Sequence, residues 1–365
     1  MSKTWPDTRL LELLGIELPI VQAPMAGPTL HEMVIAVSEA GGLGSLPCAL
    51  LTPEAQRREL DLIRAATARP INLNFFCHQN PAPDAAREAA WRERLRPYYL
   101  ELGLDPAMPL PATGRNPFDA AACELVEAYR PAVVSFHFGL PVPELLARVR
   151  AGGARVIASA TTVAEARWLR ERGVDAIIAQ GAEAGGHRGV FLHDEVYSQP
   201  GLFALLPQVV DAAGDVPVIA SGGIADARGI AAAFALGAAG VQIGSAYLYT
   251  PEAHLPAPHR AALQSEAAET TALTNLFTGR PARGIVNRLM REVGPLSELA
   301  PAFPLAGGAL APLRAASEAQ GGVAAGDFMP LWAGQAAPLS PRGLGAGELT
   351  RQLAAQALQR LQTLA

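Results

Sequence analysis

Eight short runs of apolar and β-branched residues recur along the chain: PIVQAPM (19–25), GGLGSL (41–46), PINLNFF (70–76), AVVSFHFG (132–139), RVIASA (155–160), DAIIAQG (175–181), PVIASGG (217–223) and AGVQIGS (239–245). Most are apolar at successive positions rather than alternate ones. Strands of that kind are buried on both faces, as in a parallel sheet covered by helices. The stretches between them read as helices. TLHEMVIAVSEAGG, TVAEARWLRERGVD and DARGIAAAFALGAAG carry apolar residues at helical spacing, and each stops at glycine. Strand, helix, glycine, strand, repeated eight times, predicts an α/β fold closed as a (β/α)8 TIM barrel. An open doubly wound sheet is the alternative, but GGLGSLP does not complete the GxGxxG fingerprint where that fold would place it.

Two segments break the rhythm. Residues 1–76 and 131–250 are assigned to the barrel, and residues 77–130 to a helical insertion with pieces such as DAAREAAWRERLRPYYLELG and proline-rich joints. Residues 251–340 read as a helical, loop-rich substrate-binding region. Residues 341–365, with the amphipathic GAGELTRQLAAQALQRLQTLA, read as a helix packing on the barrel's outside. Both added segments leave from strand C-terminal ends, the face on which barrels build active sites. Together they are a candidate lid.

Composition narrows the function classes. The 365 residues suffice for one large domain with an appendage. A net charge of -5 with no lysine-rich run argues against nucleic acid as a partner. The three cysteines, Cys48, Cys77 and Cys123, form no CxxC pair, so neither a disulfide framework nor a zinc site is expected. MSKTWPDTRLLELLG has no apolar signal core, and a cytoplasmic location is expected. The uncharged GIAAAFALGAAGVQIGSAYLYT (229–250) approaches the length of a membrane span, but glycines 237, 240 and 244 divide it into helix, turn and strand. No membrane partner is expected, and a homodimer is compatible with the sequence without being determined by it.

On a barrel, polar residues at strand C-terminal ends are the candidates for chemistry. These are Gln22, Pro24 and Met25, then Asn72 and Asn74, Ser135 and His137, Gln180 with the loop GAEAGGHRG (181–189), Ser221, Gly222 and Gly223, and Gln242, Gly244 and Ser245. SGG after the seventh run and IGS after the eighth supply bare amides and a hydroxyl, where barrels often cradle a phosphate. The amides of Asn74, Gln180 and Gln242 donate and accept, which suits the edge of a flavin. They would serve equally as satisfied polar groups capping barrel layers. His187 follows two glycines that would let a planar ring approach, and His137 stands in SFHFG; either would serve as a base near neutral pH. No HExxH or other ligand spacing appears, so no metal is expected, and no GxSxG elbow marks a serine hydrolase.

The motifs PIVQAPMAG, AGGLGSL, NLNFFCH, VVSFHFGLP, AQGAEAGGHRG, ASGGIADARG, GAAGVQIGSAYL, TGRPARGIVNRL and WAGQAAPL together resemble the nitronate monooxygenase family, formerly the 2-nitropropane dioxygenases, over about residues 16–340. SFHFGLP with GAEAGGHRG points to the class I branch. The resemblance implies a barrel with a helical substrate domain and non-covalent FMN. It implies oxidation of alkyl nitronates, notably propionate 3-nitronate, with O2 and without NAD(P)H, to a carbonyl product and nitrite. By the same resemblance His187 is catalytic, with His137 beside it, and Arg283 lies near the substrate. The FMN contacts fall on Asn74, Gln180, Gly185, Gly222, Gln242, Gly244 and Ser245, with Ala23, Met25, Gly186 and Gly223 at the same strand ends. The chain departs from the family pattern at Pro28 and at PCAL (47–50), in loops that bear on substrate preference. The alternative is a flavin-dependent NAD(P)H enoyl-acyl-carrier-protein reductase, which shares the barrel, the EAGGH-type loop and the AGQ tail. A binding barrel without turnover would keep the phosphate glycines and lose both histidines, which are present here.

Overall fold

The computed structural model describes residues 4–111, 115–193 and 195–364. Its strands in chain order are β1 (Ile20–Gln22), β2 (Gly44–Pro47), β3 (Ile71–Phe76), β4 (Val133–His137), β5 (Arg155–Ala160), β6 (Ala176–Gln180), β7 (Gly186–His187), β8 (Val218–Ser221), β9 (Gly240–Ile243), β10 (Thr271–Thr274) and β11 (Ala282–Ile285). Eight of them form one parallel sheet in the order β1-β9-β8-β6-β5-β4-β3-β2. A parallel bridge between Val21 and Leu43 joins β1 to β2 and closes the circle. These eight strands are the eight apolar runs, and they read as continuous because barrel interior and helical ring bury both faces. The uncharged stretch 229–250 divides as its glycines require: helix Ala227–Ala235, a turn with Gly237 at φ 95, then β9. Among the described residues no helix is long and apolar enough to cross a membrane.

The barrel is plugged at one end. Helix Arg9–Leu14 inserts Leu10 and Leu14 among Val21, Leu43, Val133, Ile157, Ile178 and Ile219, which point inward near the strand N-terminal ends. Helix Ala346–Leu364 packs outside on helices His31–Glu39 and Ala227–Ala235 and buries Leu349, Leu353 and Ala357. That leaves the C-terminal mouth as the accessible end.

The segment 77–130 divides in two. Helix Ala120–Tyr129 buries Cys123, Leu125 and Val126 in the barrel's outer core and packs on helices Pro53–Ala66 and Pro143–Ala151. It is therefore the barrel's own helix between β3 and β4. Helical spacing reveals that a face is buried but not which core receives it, so the sequence could not set this boundary. The excursion proper carries helix Ala85–Glu101, whose Trp91, Leu95, Tyr98 and Tyr99 pack with Leu276, Phe277, Leu289, Met290 and Phe328 from beyond β9. Trp91 Nε1 donates to Ala306 O at 3.2 Å and the Tyr99 hydroxyl to Ala309 O at 2.6 Å. The two excursions thus share one core, stapled across more than two hundred residues of chain. The region 251–340 is not purely helical. β10 and β11 pair antiparallel there, and β11 also pairs with β7. These four-residue strands carry too little alternation to register as strands in sequence.

Candidate active site

A cavity of about 620 Å³ opens at the strand C-terminal ends, within the size range of small-molecule sites. Ala23, Met25, Asn74, His137, Gln180, Gly185, Gly186, His187, Gly222, Gly223, Gln242, Gly244 and Ser245 all line it. Parallel register explains the convergence: Gln180 pairs with Ser221 and Ser221 with Gln242, so residues distant in sequence share one level of the mouth. The two excursions contribute Arg115, Met329 and Trp332 to the wall.

The stretch 181–189 is more constrained than its glycines suggest. The His187 carbonyl accepts from Gln180 Nε2 at 3.0 Å and from His137 Nε2 at 3.2 Å, and Gln180 Oε1 accepts from Gly189 N at 2.8 Å. On its other side, β7 pairs Gly186 with Arg283 and His187 with Ala282. Beneath it the fully buried Arg188 donates to Gly181 O at 2.6 Å, Gln180 O at 2.8 Å and Gln199 Oε1 at 2.7 Å. His187 is therefore held by the barrel and by β11 at once. Gln180, expected at the edge of a flavin, lines the cavity but commits both ends of its amide to this loop.

The two glycines before His187 differ in purpose. Gly186 has φ 72, and a Cβ there would meet nothing within 4 Å, so it supplies the left-handed turn. A Cβ on Gly185 would lie 2.5 Å from Gly334 N and 2.6 Å from the Ala333 carbonyl carbon. The close approach is thus by the chain's own backbone, the WAGQ segment, where a planar ligand was expected. That segment is pinned by Gly334 N donating to Ser245 Oγ at 2.8 Å and Gln335 N to Glu183 O at 3.0 Å. Gly185→Ala is expected to push WAGQ off the barrel and cost about 1–3 kcal/mol, the range for overpacking a filled site. A thermal melt unchanged from wild type would refute this.

The imidazoles are electrostatically distinct. His137 is buried. Its Nε2 must donate to the His187 carbonyl, which leaves Nδ1 to accept from Ser159 Oγ at 3.1 Å. Both nitrogens are committed, and burial pushes its pKa down to about 3. His187 Nε2 lies 3.0 Å from Thr278 Oγ1 and 3.3 Å from Arg115 Nη1. A guanidinium only donates, so the Nε2 facing it carries no proton. Burial, then the charges of Arg115 and Arg280, hold the His187 pKa well below its usual value. The chain turns sharply after His137, with Phe138 at φ 69, a conformation that costs a non-glycine residue about 1–3 kcal/mol. Its ring is covered by the Arg280 guanidinium at 4.0 Å.

Arg283, expected near the substrate, does not line the cavity. Its guanidinium donates to Ala182 O at 2.9 Å, Thr271 O at 3.3 Å and Thr271 Oγ1 at 3.2 Å, tying β11 to the 181–189 stretch. The reason is register: opposite Gly186 in an antiparallel pair, its side chain falls away from the His187 side. The cation that reaches His187 is Arg115. Sequence reasoning passed over it because nothing local marks it. Phe76, Phe303 and Trp332, with ring centroids 6.2, 5.4 and 5.7 Å from that of His187, were missed for the same reason.

One polar atom on the cavity wall is orphaned. Gln242 Oε1 is buried without a hydrogen-bond partner among the described residues, while its Nε2 lies 3.4 Å from Ser221 Oγ. A buried acceptor of this kind calls for a donor from a bound molecule.

Known proteins match this arrangement along its length. Residues 7–356 match the family model for nitronate monooxygenase. The chain is 41% identical over 351 residues to a nitronate monooxygenase of Pseudomonas aeruginosa, covering 94% of this chain and 97% of that one. It is 41% identical over 357 residues to a nitronate monooxygenase of Paraburkholderia phytofirmans, covering 97% and 96%. The crystal structure of a nitroalkane oxidase from Streptomyces ansochromogenes superposes with a TM-score of 0.87 at 38% identity, covering 98% of this chain and all of that one. With its barrel, its histidine at the mouth and these relatives over nearly its whole length, the chain belongs to the nitronate monooxygenase family, a family of oxidoreductases.

Proposed function

We propose that this enzyme holds FMN non-covalently at the barrel mouth and oxidises alkyl nitronates, propionate 3-nitronate among them, with O2 to a carbonyl product and nitrite. The observation that carries the reading is the placement of His187 in the cavity, its Nε2 3.3 Å from the Arg115 guanidinium and 3.0 Å from Thr278 Oγ1. The residues present fit FMN. Gly222, Gly223, Gly244 and Ser245 form one wall with bare amides and a hydroxyl suited to phosphate, and the orphaned Gln242 Oε1 suits a ring N–H. When bound, FMN supplies the acceptance of electrons from the nitronate and their delivery to O2.

The chain's own residues do the rest. His187 takes the α-proton of a neutral nitroalkane at Nε2, or orients a nitronate that arrives already ionised. His137 and Gln180 act through the His187 carbonyl, as positioning residues. Phe76, Phe303 and Trp332 limit water around the imidazole.

The test takes one cuvette. The purified protein should be yellow, and anaerobic propionate 3-nitronate should bleach it while NADPH does not. Bleaching by NADPH alone would instead indicate the enoyl reductase reading. A colourless protein that FMN cannot reconstitute would overturn both.

A further inference from the structure

Arg115 is a guanidinium without an anion. It lines the cavity, places Nη1 3.3 Å from His187 Nε2, and stands 5.4 Å from the Phe303 ring centroid. Among the described residues no aspartate or glutamate pairs with it. Burial lowers its pKa to about 10, which still leaves it charged at neutral pH. A positive charge drawn partly out of water without a counter-ion is costly, and a bound anion removes that cost. Among the other neighbours of His187, Phe76, Phe303 and Trp332 offer aromatic surface.

We infer that Arg115 recognises the nitronate group itself: its planar fork takes the two nitronate oxygens, and the surrounding rings take the alkyl substituent. The inference rests on the function proposed above and names the residue that selects its substrate. A nitronate is planar with two oxygens sharing one negative charge, the shape a guanidinium binds in bidentate fashion. The choice of group follows from distance. Arg115 reaches the same Nε2 that serves the α-carbon, so the oxygens it holds are those bonded next to that carbon. On this assignment a carboxylate at the far end of the substrate makes no contact with Arg115. Recognition therefore requires only the nitronate, and plain alkyl nitronates are substrates alongside propionate 3-nitronate.

The experiment compares FMN-loaded wild type with Arg115→Met and Arg115→Lys, using propyl 2-nitronate and propionate 3-nitronate. Flavin content confirms that each variant is intact. Arg115→Met is expected to raise KM for both substrates alike, by about 10- to 100-fold, the worth of a hydrogen-bonded charge. Arg115→Lys should recover part of the loss, since it keeps the charge and loses the fork. Calorimetric titration with nitrate, a planar oxyanion that is not turned over, should show binding weakened by a similar factor in Arg115→Met. A loss confined to propionate 3-nitronate would overturn the inference by assigning Arg115 to the tail carboxylate. Unchanged KM and unchanged nitrate binding would overturn it outright while leaving the proposed function standing. A wild-type enzyme inactive on both nitronates would instead overturn the proposed function, and this inference with it.

Discussion

His187→Asn is expected to retain FMN and to lose turnover of neutral nitroalkanes by about 10²- to 10⁴-fold, the usual contribution of a positioned general base. Asparagine keeps a polar group of similar reach but cannot accept the proton. The loop should not move, because His187 is positioned through its backbone: its carbonyl is held by Gln180 and His137, and β7 is paired with β11. With pre-ionised nitronates the loss should be much smaller, since the proton is already gone. The same field that keeps Nε2 unprotonated also resists its protonation during turnover, because Arg115 and Arg280 disfavour the imidazolium. Full activity on a neutral nitroalkane with undiminished flavin content would remove His187 from the mechanism.

Acidification is expected to unfold this protein earlier than its carboxylates alone would dictate. Burial holds His78 and His259 down to about 4, His137 to about 3, and His187 well below its ordinary value. In the unfolded chain these imidazoles titrate near 6.5. Above that pH neither state binds the protons, and the stability is fully present. As pH falls below 6.5, the unfolded chain takes up protons that the folded chain refuses, so stability drops until the folded-state values are reached. At pH 5 His78, His259 and His137 each cost about 2 kcal/mol. The three together reach the lower end of a whole domain's net stability, about 5–15 kcal/mol. The carboxylates with lowered values, such as Asp7 and Glu32, titrate below this window. The urea midpoint should fall steeply between pH 6.5 and 5. His259→Gln, which replaces a ring that bonds the Trp332 carbonyl at 3.1 Å, should make the fall shallower. A midpoint constant over that interval would show that the histidines are not held neutral in the fold.

The proposed mechanism assigns the two mouth histidines different work on chemical grounds. Both line the cavity, but only His187 sets a nitrogen beside a guanidinium, 3.3 Å from Arg115 Nη1. His137 spends one nitrogen on the His187 carbonyl and the other on Ser159. Arg188 shows the same division of labour on a larger scale. It is fully buried, and its donors go to the Gln180 and Gly181 carbonyls, where the loop that carries His187 begins, and to the side-chain amide of Gln199.

What the sequence determined by itself was the barrel and the level of the site on it. Eight runs apolar at successive positions have no stable arrangement except one that covers both faces, and glycine-stopped helices between them make the connections parallel. Once the barrel is known, polar residues at strand ends converge, which is why Asn74, His137, Gln180, Gly222, Gln242 and Ser245 fell on one cavity wall. Tertiary structure alone decided what depends on two distant segments meeting. That Arg115 and not Arg283 reaches His187 follows from how the excursion after β3 docks and from the register of β11 on β7. That Gly185 is bare for the WAGQ backbone follows from where residues 332–335 return to the barrel. That helix Ala120–Tyr129 belongs to the barrel follows from which core receives its buried face. Periodicity records that a residue is buried and on which face of its own element. It carries no information about the partner, because apolar burial is non-directional and the partner can lie more than two hundred residues away.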